Sequence, residues 1–175
     1  MRWIAFAILL YVVAVLQSTV APYIAVHTIR PDLMVIVAVH YALLARTDDA
    51  LLACWCIGMA TDLTGISYAH HSNVGVNAIS LSLIAICIVN LRELVFRESV
   101  VTQLILTFLT KLFLALLVGL HMLYVLGQWG RFGEILTSAV WAAVYTAILS
   151  PYVHWCLRRL RGALGIGATH RLRVR

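Results

Sequence analysis

Six apolar stretches follow one another along the chain with only short polar separators between them, and this alternation constrains the fold more than any other feature. They fall at residues 3–21, 31–46, 49–66, 74–91, 100–126 and 134–157. A bilayer core of about 30 Å needs roughly 20 apolar residues in a helix rising about 1.5 Å per residue, so the runs read as transmembrane helices. The second and third are short for full spans, which leaves room for a broken or tilted segment there. The separators, at residues 22–30, 47–48, 70–73, 92–98 and 127–133, are too short to hold a folded domain.

Composition closes off the alternatives. Hydrophobic residues make up 63% of the 175 and charged ones 11%, with a mean hydropathy of +0.96. Soluble domains carry roughly 45–50% and about 25%. A globular core of this length could not bury so much apolar surface, because even a domain of about 150 residues leaves roughly 30% of its chain surface exposed. The fold class that remains is an all-α integral membrane protein: a six-transmembrane-helix bundle over residues 1–157, followed by a basic cytoplasmic tail over 158–175.

The net charge of +6 takes its meaning from placement. With six spans and a cytoplasmic N-terminus, Arg2, Arg46, Arg92, Arg97, Arg158, Arg159, Arg161, Arg171, Arg173 and Arg175 lie inside, whereas only Arg30 and Arg131 lie outside. Ten against two is the positive-inside bias, and it places both termini in the cytoplasm. The arginines of the tail could also meet anionic lipid head groups. Nucleic acid is not an expected partner, since no recognition motif accompanies the charge. Cys54, Cys56, Cys87 and Cys156 all fall in apolar runs without zinc-ligand spacing, and Arg2 precedes a first run that lacks a small-residue cleavage site, so it reads as an anchor.

Ionisable side chains inside a span cost roughly 2.5–3.5 kcal/mol on insertion scales, so each needs a partner, a wet cavity or a route to the interface. Asp62 lies roughly 20 Å and Lys111 roughly 16 Å from the cytoplasmic ends of their helices at the usual rise. Cys54, Gly58, Asp62 and Gly65 share one helical stripe, and Thr107, Lys111, Ala115 and Gly119 share another. Small residues let helices approach closely, so the expected arrangement is an Asp62–Lys111 contact between the two stripes. The competing reading has Lys111 snorkelling to the cytoplasmic interface while Asp62 reaches the outer face. A third stripe, Ala139, Ala143 and Ala147, reads either as packing within the bundle or as a docking face for another helix. Ser150 and Pro151 suggest a kink or a weakened turn beyond it.

No catalytic constellation is legible. His70 and His71 are adjacent and share no helical face, and no carboxylate stands at ligand spacing, so no metal site is expected. His40 and His121 read as hydrogen-bonded packing residues. Ser80 and Ser82 have no base within their helix, and no phosphate loop or nucleophile elbow appears. The expectation is a protein that is not an enzyme and holds no cofactor.

Four short motifs stand in order at the ends of the first four runs. They are Leu16-Gln17-Ser18-Thr19 with Pro22, Arg30-Pro31-Asp32-Leu33, Thr61-Asp62-Leu63-Thr64-Gly65, and Gly75-Val76-Asn77-Ala78-Ile79-Ser80-Leu81. In this order the chain resembles the MreD family of rod shape-determining proteins, by motif over about its first 90 residues and by hydropathy beyond. Gln17, Arg30, Pro31, Asp32, Gly65, Gly75 and Asn77 are the positions that match the family pattern. Physically, Pro31 fits a helix start, Asp32 in a first turn meets the positive end of the helix dipole, and Asn77 can satisfy backbone groups where the fourth helix begins. Asp32, Asp62 and Asn77 also fall in the outer half, where they could share a polar pocket. The chain departs from the family pattern in its His70-His71-Ser72-Asn73 loop and in a longer, more basic tail.

The resemblance implies a non-enzymatic component of the bacterial cell-elongation machinery in the inner membrane. It implies association with an MreC-like bitopic protein and, indirectly, with MreB, RodA and a class B penicillin-binding protein. It also implies a bundle similar to the substrate-binding subunits of energy-coupling-factor vitamin transporters. A solute-binding transporter subunit is therefore the alternative function. Those subunits dock through an Ala-x-x-x-Ala face on the first helix, and here the nearest such spacing, Ala21 to Ala25, is interrupted by Pro22.

Overall fold

A computed structural model describes residues 2–26, 29–64, 75–92, 99–127, 129–160 and 162. Among them the chain forms α1 (Trp3–Thr19), α2 (Leu33–Leu44), α3 (Thr47–Thr64), α4 (Val76–Leu91), α5 (Val100–Leu126) and α6 (Phe132–Arg159), with a single 3₁₀ turn at Trp129–Arg131. Every helix end lies within two residues of its expected position. The loop holding Gly65, His70, His71, Ser72 and Asn73, together with Arg97 and the tail arginines from Arg161 onward, lies outside the described residues.

Helix length divides the bundle. α5 and α6 are long and apolar enough to cross a membrane, whereas α1, α2 and α4 are apolar but shorter. With 27 residues, α5 extends about 40 Å; with 12, α2 extends only about 18 Å. α2 is nonetheless the centre of the molecule. All residues from Met34 to Leu43 are buried, and α2 packs against each of the other five helices. Its sequence, apolar on every face, is what a helix with neighbours all round requires.

Local chemistry explains the helix ends. Asp32 takes an extended conformation and its carboxylate accepts from the Val35 amide at 3.2 Å, capping α2 behind Pro31. Asp48 and Asp49 lie in the first turn of α3, where the dipole favours them. Gly75 precedes α4 with φ +98 and Gly127 ends α5 with φ +64, conformations that side chains disfavour. α6 continues through Pro151 as one helix.

Neighbouring helices run antiparallel. Phe6, early in α1, packs edge-on against Tyr41, late in α2, at 5.0 Å between ring centroids. Gly58 of α3 lies directly on the backbone of α4: a Cβ there would stand 2.4 Å from the Ala78 Cα. Arg92, at the end of α4, donates to the Ala45 carbonyl at 2.5 Å and to Thr47 Oγ1 at 3.0 Å, tying α4 to the turn between α2 and α3. A cation beside the last carbonyls of α2 also complements its dipole. Arg2, Arg46, Arg92, Arg158 and Arg159 thus share one end of the bundle, and the outer faces of α1, α5 and α6 expose Ile8, Phe113, Trp141 and Ile148.

Candidate functional site

Among the described residues, two separate polar clusters gather around carboxylates inside the bundle. In the first, Lys111 Nζ donates to Asp32 Oδ2 at 2.5 Å, with only 17% and 11% of the two side chains exposed. The Asp32 amide donates to Thr146 Oγ1 at 3.2 Å, which ties the start of α2 to α6 as well as to α5. Gln17 of α1 completes the arrangement: its Nε2 donates to the Pro31 carbonyl at 3.0 Å, and its Oε1 accepts from the Leu33 amide at 2.8 Å. One side chain thereby satisfies an acceptor and a donor at a helix start that lacks intrahelical partners.

The second cluster belongs to α3 and α4. Asp62 accepts from the Gly75 amide at 2.8 Å, the Asn77 amide at 3.3 Å, Asn77 Nδ2 at 2.8 Å and the Ala78 amide at 3.2 Å. It caps α4 from a neighbouring helix, and the positive end of the helix stabilises the carboxylate. The close approach at Gly58, one turn earlier in α3, makes this reach short enough.

The Asp62–Lys111 contact expected from sequence is therefore not formed. Both residues lie on the small stripes that were expected to carry them, but the α3 stripe faces α4 and the α5 stripe faces α6. Asp62 is held by amides and Lys111 by Asp32. The shared pocket of Asp32, Asp62 and Asn77 is likewise absent: Asp62 and Asn77 meet, while Asp32 is bonded elsewhere. Ala139, Ala143 and Ala147 are buried, in keeping with packing within the bundle, and Ala139 also borders a cleft beside Lys111. Gly119, on the facing stripe of α5, leaves room for Ile135.

Below the ion pair a polar column continues toward the arginine end. Thr107 and Ser150 share a hydrogen bond at 2.9 Å, and both are fully buried. Farther along, the Nδ1 atoms of His40 and His154 approach to 3.1 Å, with the rings stacked 5.2 Å apart. Eight residues separate Asp32 from His40, Lys111 from Gln103 and Thr146 from His154. The buried Gln103 thus stands about 12 Å from the ion pair, level with the histidines. His154 was not singled out from sequence, and Arg92 was counted there only for its charge. The available signal for His154 was its i, i+4, i+8 relation to Thr146 and Ser150 beside the alanine stripe. The buried Nδ1 of His121 has no hydrogen-bond partner among the described residues.

Apolar helix faces turned outward and polar groups bonded to one another inside are the build of an integral membrane protein. The family model of rod shape-determining protein MreD matches residues 1–160, from α1 through the end of α6, and the chain belongs to this family of membrane proteins involved in cell shape. No curated protein and no solved structure matches the chain.

Proposed function

We propose that the chain is a non-enzymatic scaffold of the bacterial cell-elongation machinery, crossing the inner membrane six times with both termini in the cytoplasm. It docks the membrane helix of an MreC-like bitopic protein. Through that partner it is linked to MreB, RodA and a class B penicillin-binding protein, and so takes part in regulating cell shape and peptidoglycan synthesis. The observation that carries this reading is the family match over residues 1–160. The arginines gathered at one end of the bundle support the orientation.

The short α2 is compatible with six crossings. Ahead of it, Ala21 is fully buried and Tyr145 Oη of α6 donates to the Ile24 carbonyl at 2.6 Å. Irregular backbone at membrane depth is tolerated where protein covers it. The bundle so inferred is similar in plan to the substrate-binding subunits of energy-coupling-factor transporters, and its basic tail meets anionic lipid at the cytoplasmic surface.

Affinity capture of the tagged full chain from membranes, after mild crosslinking, tests the proposal. Recovery of an MreC-like protein with MreB is expected. Recovery of an ATPase complex or a bound vitamin would instead establish the transporter reading.

A further inference from the structure

Between α5, α6 and the Ile29-Arg30 segment ahead of α2, a cleft of about 210 Å³ opens beside the ion pair. Small side chains make the space: Ala115 on one wall, Ser138, Ala139 and Ala142 on the other, with Lys111 and Arg30 supplying the charge. No carboxylate lines it. Among the described residues Lys111 donates one hydrogen bond, to Asp32, while an ammonium carries three protons. Arg30 is exposed at the rim and makes no hydrogen bond or ion pair among the described residues. Once Asp32 has offset Lys111, the guanidinium remains as a net positive charge beside an apolar groove.

We propose that this cleft binds the phosphate head group of an anionic phospholipid. Liquid water occupies about 30 Å³ per molecule, so the cleft accommodates a group of several heavy atoms, well below the roughly 300–1,000 Å³ of sites that enclose whole drug-sized ligands. The head group enters and the acyl chains stay outside, along the adjoining face of α6 where Leu136 and Val140 are exposed. Helices of about 40 Å overhang a 30 Å core by about 5 Å at each end, which puts Ser138, six residues into α6, about 4 Å below the outer hydrocarbon boundary and Lys111, fifteen residues from the outer end of α5, about 17 Å below it, so the head group is held at the shallow end of the cleft. From the rim, Arg30 forks onto the phosphate oxygens, with Ser138 on the facing wall, while Lys111 and its counter-ion Asp32 lie at the deep end of the cleft.

The lipid source rests on reading α5 and α6 as membrane spans. The test uses the purified full chain in neutral detergent, with phosphatidylglycerol, phosphatidylcholine and inorganic phosphate as probes and bound lipid counted by native mass spectrometry. The intact chain is expected to retain phosphatidylglycerol at least tenfold over phosphatidylcholine. Arg30→Gln should retain one phosphatidylglycerol fewer per chain than the intact protein, the arginines of the tail being unchanged, Arg30→Lys should keep part of that lipid, and Ser138→Leu should lose it by filling the space. Equal retention of both lipids by all four proteins overturns the site, and so does protection by inorganic phosphate without phosphatidylglycerol. Cysteine labelling at residues 2 and 160 reports separately on the spans: labels on opposite sides remove the membrane topology, whereas same-side labels with no lipid preference remove only the cleft.

Discussion

Asp32 and Asp62 are both carboxylates set among apolar helices, yet the bundle stabilises them by different means. Asp32 meets a full opposite charge delivered from α5, 79 residues away in the chain. Asp62 meets four N–H donors at the start of the next helix, 13 to 16 residues away. The first arrangement leaves a buried cation exposed to risk if the acid is lost. The second leaves only a helix end uncapped. Long-range neutralisation should therefore be fragile to single substitutions and restorable by paired ones, while local capping should be milder and unaffected by changes on α5.

The largest effect is expected at the ion pair. Asp32→Asn strands the Lys111 ammonium, at a cost of about 3–5 kcal/mol, and Asp32→Asn combined with Lys111→Met should recover most of it in thermal unfolding of the detergent-solubilised chain. A charge exchange sharpens the contrast: Asp32→Lys with Lys111→Asp should restore accumulation in membranes, whereas Asp62→Lys with Lys111→Asp should not. Equal behaviour of the two exchanges would break the comparison. Next comes Gly58→Val, which forces a side chain into the α4 backbone. A cost of about 1–3 kcal/mol is expected from overpacking, with Asp62 drawn out of reach of Asn77. Asp62→Ala should cost about 0.5–2 kcal/mol as a lost cap, and hydrogen exchange should quicken at the amides of Gly75, Asn77 and Ala78 while those of α2 stay protected. The smallest change is Thr107→Val, which removes one interhelical hydrogen bond worth about 0.6 kcal/mol in a membrane bundle. Its unfolding midpoint should barely move.

Much of the helical framework was legible because hydropathy changes sharply at each boundary. The runs bounded by Gly75, Gly127 and the Arg92 region produced helix ends within two residues of expectation. The ionisable residues that matter were legible too, since Asp62 and Lys111 interrupt otherwise apolar spans. Their partners were not. Depth along a helix follows from counting residues, but the direction in which a stripe faces depends on which neighbour packs there. The stripe through Gly58 could have met α5 as easily as α4 on spacing alone. Asp32 was read as a helix-start residue, which it is, without its role as counter-ion to Lys111. His40 and His154 lie 114 residues apart, so nothing local joins them. Arg92 was counted for its charge, although its guanidinium also holds the carbonyl of Ala45.

From the amino-acid order alone came the number of helices, their limits, the end at which the arginines gather and the family to which the chain belongs. These follow from short-range preferences and from the cost of placing polar groups in hydrocarbon, both of which are written residue by residue. The tertiary structure decided which acid meets which base, that α2 stands at the centre, and that Ala139, Ala143 and Ala147 are buried. Those outcomes depend on how helices rotate about their own axes when packed, and that rotation is settled jointly by all six.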